Sequence, residues 1–287
     1  MEMVHFIPPS QRHLTMLATQ AEHVPVLICG AGGTGKGAIA KWIHKNGPRA
    51  GQVILEASRH LSLQKQLMEA QGGTLVIPEI GHWPLSIQKT LEEYLKVRSV
   101  SQPNGLPMIL NVRVIALSSL NLKKRTQGGL FNPELLRLLS EYKIEMPNLS
   151  KRSDEFEDIA HGLLGEITRE LDKEHIREFS TESMSTLKRY PWPGNLRELR
   201  NVLRVAAVSC QTQQIELSDL PEFGPNRVDF RATREEFEKT YLMELLRTFN
   251  WEVDKTCEVS RIEPEALRAK IQKYQIPMPQ AGNHPAS

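Results

Sequence analysis

The chain has 287 residues, with 36 Lys and Arg against 34 Asp and Glu, a formal net charge of +2. Hydrophobic residues make up 40% and charged residues 24%, which excludes disordered, collagen-like and coiled-coil chains and leaves room for about two globular domains. No run approaches the ~18 apolar residues of a membrane helix, and Met1–Gln11 lacks the regions of a secretory signal. Three scattered cysteines (Cys29, Cys210, Cys257) form no disulfide or metal framework, so the expectation is a cytoplasmic chain with no membrane partner. A net charge this small makes no case for nucleic acid, which must rest on local features.

The first third alternates strands and helices. Val26-Leu27-Ile28-Cys29, Gln52–Leu55, Thr74–Ile77 and Val112–Ala116 are short apolar runs suited to buried parallel strands. Between them Ile87–Val97 has helical periodicity, with Ile87, Leu91, Tyr94 and Leu95 on one face. This order predicts an α/β domain. From about Asn148 the strand signals vanish. Asp158–Leu171, Thr181–Tyr190 and Asn195 towards Ser209 read as helices, and a last helical block runs from Thr233 to Tyr274. The Pro-, Gly- and Ser-rich segment Ser218–Pro225 reads as a linker, and the segment after Pro277 as a disordered tail.

The strongest motif is Gly30-Ala31-Gly32-Gly33-Thr34-Gly35-Lys36, between a strand and a helix. Its glycines let backbone N–H groups curl round phosphate oxygens, and the helix N-terminus adds positive dipole. Lys36 supplies a point charge. A Gly-rich turn without a ligand is the plainer alternative. The Ser or Thr that would hold Mg2+ is Gly37 here. Leu75-Val76-Ile77-Pro78-Glu79 lies where a Walker B strand would end, with Pro78 in place of the metal-binding Asp. Glu79 is the candidate general base. Its simpler role would be to cap the helix that follows Trp83-Pro84.

These motifs, with Gly72-Gly73-Thr74-Leu75, Glu79-Ile80-Gly81, Val112–Ala116 and Tyr190-Pro191-Trp192-Pro193-Gly194-Asn195-Leu196-Arg197-Glu198-Leu199, stand in the order of a known family. From about residue 5 to 276 the chain resembles NtrC-type bacterial enhancer-binding proteins, the AAA+ activators of sigma-54 RNA polymerase, with no sensory domain ahead of it. The resemblance implies a three-layer P-loop AAA+ domain with a helical lid, followed by an all-α helix-turn-helix domain. It implies ATP or ADP as ligand and makes Arg197 the lid arginine that reaches the phosphates. In the Pro-Trp-Pro-Gly-Asn turn, the residue types predict a positive φ at Gly194 and a helix cap at Asn195.

The departures from the family pattern bear on activity. Residues 56–71 are all that separates Leu55 from Gly72, and they lack the Gly-Ala-Phe-Thr-Gly-Ala loop that contacts sigma-54. Ser119 stands at the sensor I asparagine. Phe131–Leu139 places Asn132 and Leu138 at the two arginine-finger positions, and Arg137 is one residue out of register. Arginine fingers are worth ~10³–10⁵ in rate. A nucleotide-binding domain with little or no hydrolysis follows, and Mg2+ binding is left open.

Asp254–Ile276 resembles a Fis-type helix-turn-helix. Pro264 suits the first position of its second helix, where Leu267, Ile271 and Tyr274 would pack inward. Arg268, Lys270 and Lys273 would then be free for double-stranded DNA, with Arg261 just ahead of the helix. Glu263 and Glu265 lie among them, and residues 226–287 carry as many acidic as basic side chains. Phe237, Tyr241, Leu245 and Leu246 form an apolar stripe that pairs two subunits in this family.

The expected boundaries are 1–147 for the α/β subdomain, 148–222 for the lid, 223–232 for a linker, 233–276 for the helix-turn-helix and 277–287 for the tail. The expected function is a DNA-binding transcriptional regulator that self-associates as a dimer. A higher oligomer would lack the fingers that join subunits, and contact with RNA polymerase is left open. An active ATPase that remodels a transcription complex, and a non-DNA module that modulates a complete activator, are the other readings.

Overall fold

The computed structural model describes residues 6–101, 106–221, 230–249, 251–260, 262–274 and 276. The first half runs α1 (Pro9–Gln20), β1 (Val26–Gly30), α2 (Lys36–Asn46), β2 (Ile54–Glu56), α3 (Leu63–Glu69), β3 (Thr74–Ile77), α4 (Leu85–Val97), β4 (Ser99–Ser101), β5 (Pro107–Ile109), β6 (Arg113–Ser118), α5 (Leu122–Gln127), α6 (Pro133–Leu139) and β7 (Tyr142–Met146). The second half runs α7 (Phe156–Glu170), β8 (Glu178–Phe179), α8 (Thr181–Arg189), α9 (Asn195–Ser209), β9 (Gln214–Ile215), α10 (Phe230–Thr248), α11 (Val253–Ser260) and α12 (Pro264–Lys273).

Five strands form a parallel sheet in the order β2-β3-β6-β1-β7. Alternate residues of each strand feed opposite faces. Leu27, Leu75, Ile77, Val114 and Ala116 pack with Leu91, Tyr94 and Leu95 of α4 and with Leu135 and Leu139 of α6. Val26, Ile28, Val76, Ile115, Leu117 and Ile144 pack with Ala18 of α1 and with Ile39, Ala40 and Ile43 of α2. This is the three-layer α/β arrangement expected from the sequence. The second strand starts later than its apolar run, at Ile54. β7 had no apolar run to announce it: Tyr-Lys-Ile-Glu-Met alternates, because an edge strand wets part of its surface. The hairpin β4–β5 and the short parallel pair β8–β9 were also unanticipated.

The chain divides into two compact units. One comprises residues up to Ile159 together with Trp192–Glu198, and the other comprises Ala160–Pro191 and the residues from Leu199 onward. In the second unit Arg200 pairs with Glu166 (2.6 Å) and Glu170 (2.5 Å), linking α9 to α7. Helices α10–α12 enclose a core of Leu242, Leu246, Leu267, Tyr274 and Ile276. Leu245 and Leu246, expected to pair subunits, are fully buried within the chain. The side chain of Phe237, most of the linker and the tail lie outside the described residues. Among the described residues no helix is long and apolar enough to cross a membrane.

Asn132 sets the start of α6. Its Oδ1 accepts from the backbone N–H groups of Glu134 (2.9 Å) and Leu135 (3.1 Å), and its Nδ2 donates to Glu92 of α4 at 2.5 Å. Gln88 of α4 accepts from the Asn132 backbone N–H at 2.8 Å. Asn132→Ala removes the cap and the tie to α4, and is expected to cost about 1 kcal/mol in denaturant unfolding.

His44 of α2 links the start of β3 to the turn before β2, with Nδ1 at 2.9 Å from Thr74 Oγ1 and Nε2 at 3.1 Å from the Gln52 carbonyl oxygen. Burial holds its pKa below the ordinary value, and the nearby Arg113 and Arg49 add to the effect, against the pull of the Gln52 carbonyl. Arg113 is itself pushed down to about 10, by burial first and then by Arg49. The unfolded chain therefore protonates His44 before the folded one does. Stability from this group is intact above pH ~6.5 and falls as pH drops below it. His44→Gln should flatten the acid side of a melting-temperature profile between about pH 7 and 5 relative to the wild type.

Candidate functional site

The order β3-β6-β1 brings three strand ends side by side, and the candidate nucleotide residues sit on them. Gly30 ends β1, where a Cβ would lie 2.5 Å from the Met146 carbonyl oxygen of β7. Gly33 has φ +78°, and a Cβ there would lie 2.1 Å from the Gly194 carbonyl oxygen. Only glycine fits that position. Beside Gly32 and Gly37 the space is open. Thr34 is buried and donates to the Ala31 carbonyl at 2.9 Å. Gly35 caps α2, so the first N–H groups of that helix lie at the loop.

Lys36 is 7% exposed. Its ammonium donates to the carbonyls of Gly30 (2.6 Å) and Ala31 (3.0 Å) and lies 3.5 Å from Glu79 Oε1. Glu79 follows β3 with φ +46°. Its other oxygen, Oε2, accepts from the backbone N–H of Ser119 at 2.8 Å and from its hydroxyl at 2.7 Å. Ser119 follows β6, the strand beside β3. The family resemblance places Ser119 at the sensor I asparagine. The structure shows a different role, as a double donor that fixes the Glu79 carboxylate. Burial is the main reason that the thiol of Cys29, at the end of β1, titrates above its ordinary value.

The Pro-Trp-Pro turn lies against the loop. Trp192 and Asn195 have left-handed φ values of 51° and 54°. Gly194, expected to hold the positive φ, does not; its Cα faces Glu198, whose carboxylate accepts from the Gly194 N–H at 2.7 Å. Trp192 is 2% exposed and stacks on Phe156 with ring centres 6.2 Å apart. Asn195 does not cap its helix. Its Nδ2 donates to the Gly32 carbonyl at 2.9 Å, and its Oδ1 accepts from the Leu149 N–H at 2.8 Å. Arg197 reaches the loop through its main chain, donating to the Gly33 carbonyl at 3.1 Å, while its side chain is exposed. Asn195 is a site residue that the sequence reading missed, because a cap and a tether require the same amide.

At the two finger positions, Asn132 is the α6 cap and Leu138 packs on the core beneath the sheet. Arg137 is exposed and forms a two-pronged pair with Glu134 at 2.9 and 2.8 Å.

In the C-terminal block Pro264 is the first residue of α12, as expected, and Leu267 is buried. Arg268 and Lys273 are exposed, with the Lys273 ammonium 4.9 Å from the Tyr274 ring centre. Lys270 is not free: it pairs with Glu238 of α10, which also accepts from the Tyr274 hydroxyl at 2.5 Å. A partner thirty-odd positions away was invisible in the local pattern. Arg261 lies outside the described residues.

Three family models match the chain in succession. Residues 10–149 match the Sigma-54 interaction domain, 150–236 the AAA+ ATPase lid domain, and 233–274 the bacterial regulatory protein family of Fis. The chain is 30% identical over 282 residues to the alginate biosynthesis transcriptional regulatory protein AlgB of Pseudomonas syringae pv. tomato, covering 88% of this chain and 62% of that protein. It is 31% identical over 223 residues to the DNA-binding transcriptional regulator NtrC of Escherichia coli K12, covering 69% of this chain and 47% of that protein. It thus spans less than two thirds of either relative. The crystal structure of NtrX from Brucella abortus in complex with ATP has a TM-score of 0.64 at 22% identity, covering 93% of this chain and 67% of that one, so the fold is shared. In chain order, then, its segments match the sigma-54 interaction, AAA+ lid and Fis-type regulatory families.

Proposed function

We propose that the chain is a DNA-binding transcriptional regulator of the enhancer-binding AAA+ type. Its phosphate loop binds ATP or ADP and hydrolyses it slowly or not at all. The observation that carries the DNA reading is α12: a helix started by Pro264, seated on its own core through Leu267, and presenting Arg268 to solvent. AlgB and NtrC, regulators by name, support it. An exposed Arg can make paired hydrogen bonds to guanine in the major groove. Lys270 belongs to the packing of α12 on α10 instead. Pairing of two chains on a two-fold DNA site is part of this reading, through contacts other than Leu245 and Leu246.

The weak-turnover reading rests on Pro78, Ser119, Asn132 and Leu138. Each stands where the family resemblance implies a metal, sensor or finger group. Two of them have other work in the fold: Asn132 caps α6, and Ser119 restrains Glu79. The stretch from β2 to β3 holds the short helix α3 and no sigma-54-contacting motif. This supports regulation that does not run through that loop.

Mapping of bound DNA across the genome tests the leading function. Arg268→Ala should lower affinity at enriched sites by about tenfold or more, one good base contact's worth. Lys270→Ala should instead lower the melting temperature of the α10–α12 block. Equal enrichment for wild type and Arg268→Ala would remove the DNA reading and favour a module that acts on other proteins.

A further inference from the structure

Phosphate-loop sites of this kind ordinarily hold Mg2+ through a hydroxyl after the lysine and a strand-end carboxylate. The residues here do not fit that ion. The position after Lys36 is Gly37, with nothing within 4 Å of where its side chain would begin. The strand-end position is Pro78, whose carbonyl oxygen accepts from Trp83 Nε1 at 3.0 Å. The Thr34 hydroxyl is committed to Ala31. Both oxygens of Glu79 are engaged, one by Ser119 and the other beside Lys36. Mg2+ demands close, regular oxygen coordination and gives up its waters reluctantly. Among the described residues no group of three His, Cys, Asp or Glu could hold a metal.

What remains is a metal-free anion site. Loop N–H groups, the α2 N-terminus and Lys36 all bind phosphate without a divalent ion. We infer that this site takes a nucleoside diphosphate as the free anion and discriminates against the triphosphate. The inference rests on the nucleotide-binding reading above and sharpens it. Glu79 sets the preference. Its carboxylate is fixed 3.5 Å from the Lys36 ammonium, the group that would meet the terminal phosphates. A third phosphate brings further negative charge beside that carboxylate, and no bound metal neutralises it. Like charges a few ångströms apart in a partly buried site repel strongly. A diphosphate leaves Lys36 serving one phosphate and Glu79 together.

Equilibrium binding of fluorescent ADP and ATP analogues, each with MgCl2 and with EDTA, tests this on the whole chain. The ADP affinity should be the same within about twofold in the two conditions, and ADP should bind about tenfold or more tighter than ATP, roughly one charge-assisted contact. Glu79→Gln keeps the shape and removes the charge, so it should narrow the gap between ATP and ADP. The double variant Gly37→Thr, Pro78→Asp should make binding stronger with Mg2+ than with EDTA. Loss of ADP binding in EDTA, or equal affinity for ATP and ADP, overturns the inference alone. Failure of folded wild-type protein to bind either nucleotide, with no difference from Lys36→Ala, overturns the nucleotide reading beneath it.

Discussion

The Glu79 carboxylate, shared between the Lys36 ammonium and the two donors of Ser119, is the contact on which the reading of this chain turns. It exists because β3, β6 and β1 are neighbours in a parallel sheet, so their C-terminal ends lie side by side. A carboxylate beside the phosphate lysine could orient an attacking water. Held by both of its oxygens, on the proposed reading it is a fixed negative charge within an anion site. Family members with an amide at the Ser119 position would engage the same carboxylate differently, since serine offers only a short hydroxyl besides its main chain.

The second constraint is the seam between the phosphate loop and the Trp192–Glu198 turn. It joins main chain to main chain and to one side chain: the Gly33 carbonyl accepts from the Arg197 N–H, the Gly32 carbonyl accepts from the Asn195 side-chain amide, and Gly33 leaves room for the Gly194 oxygen. Trp192 and Asn195 adopt left-handed backbone, a conformation that costs about 1 kcal/mol or more at each such residue. The stacked Phe156 ring and the two side-chain bonds of Asn195 offset that strain. The conformation of the phosphate loop is therefore set by a segment more than 150 positions further along the chain.

Much of this was legible in the residues. Strand, glycines and Lys36 occur at the spacing a phosphate loop needs, and the turn around Trp192 and Pro193 pointed to the same family that the domain comparisons found. Pro264 marked the start of α12 because proline fits a first helical turn. What could not be read was either long-range or strained. β7 alternates polar and apolar residues, and its place at the sheet edge comes from pairing with β1. Positive φ at Trp192 and Asn195 runs against residue preference, so the glycine between them drew the expectation wrongly. Lys270 and Arg268 differ by two positions on one helix. Only the fold shows that the first is tied to Glu238 and the second is exposed. Asn132 stands at a finger position, and only the fold shows that it also caps α6.

On the proposed function the nucleotide is a bound ligand of a DNA-binding chain, not a fuel. Single-turnover hydrolysis measures this most directly: labelled ATP is mixed with excess protein, with and without the DNA it binds, and products are followed in time. ATP should persist far beyond the seconds or less that enzymes of ordinary turnover, roughly 1–10³ s⁻¹, would need. Conversion to ADP and phosphate at about 1 s⁻¹ or faster, abolished by Lys36→Ala, would contradict it.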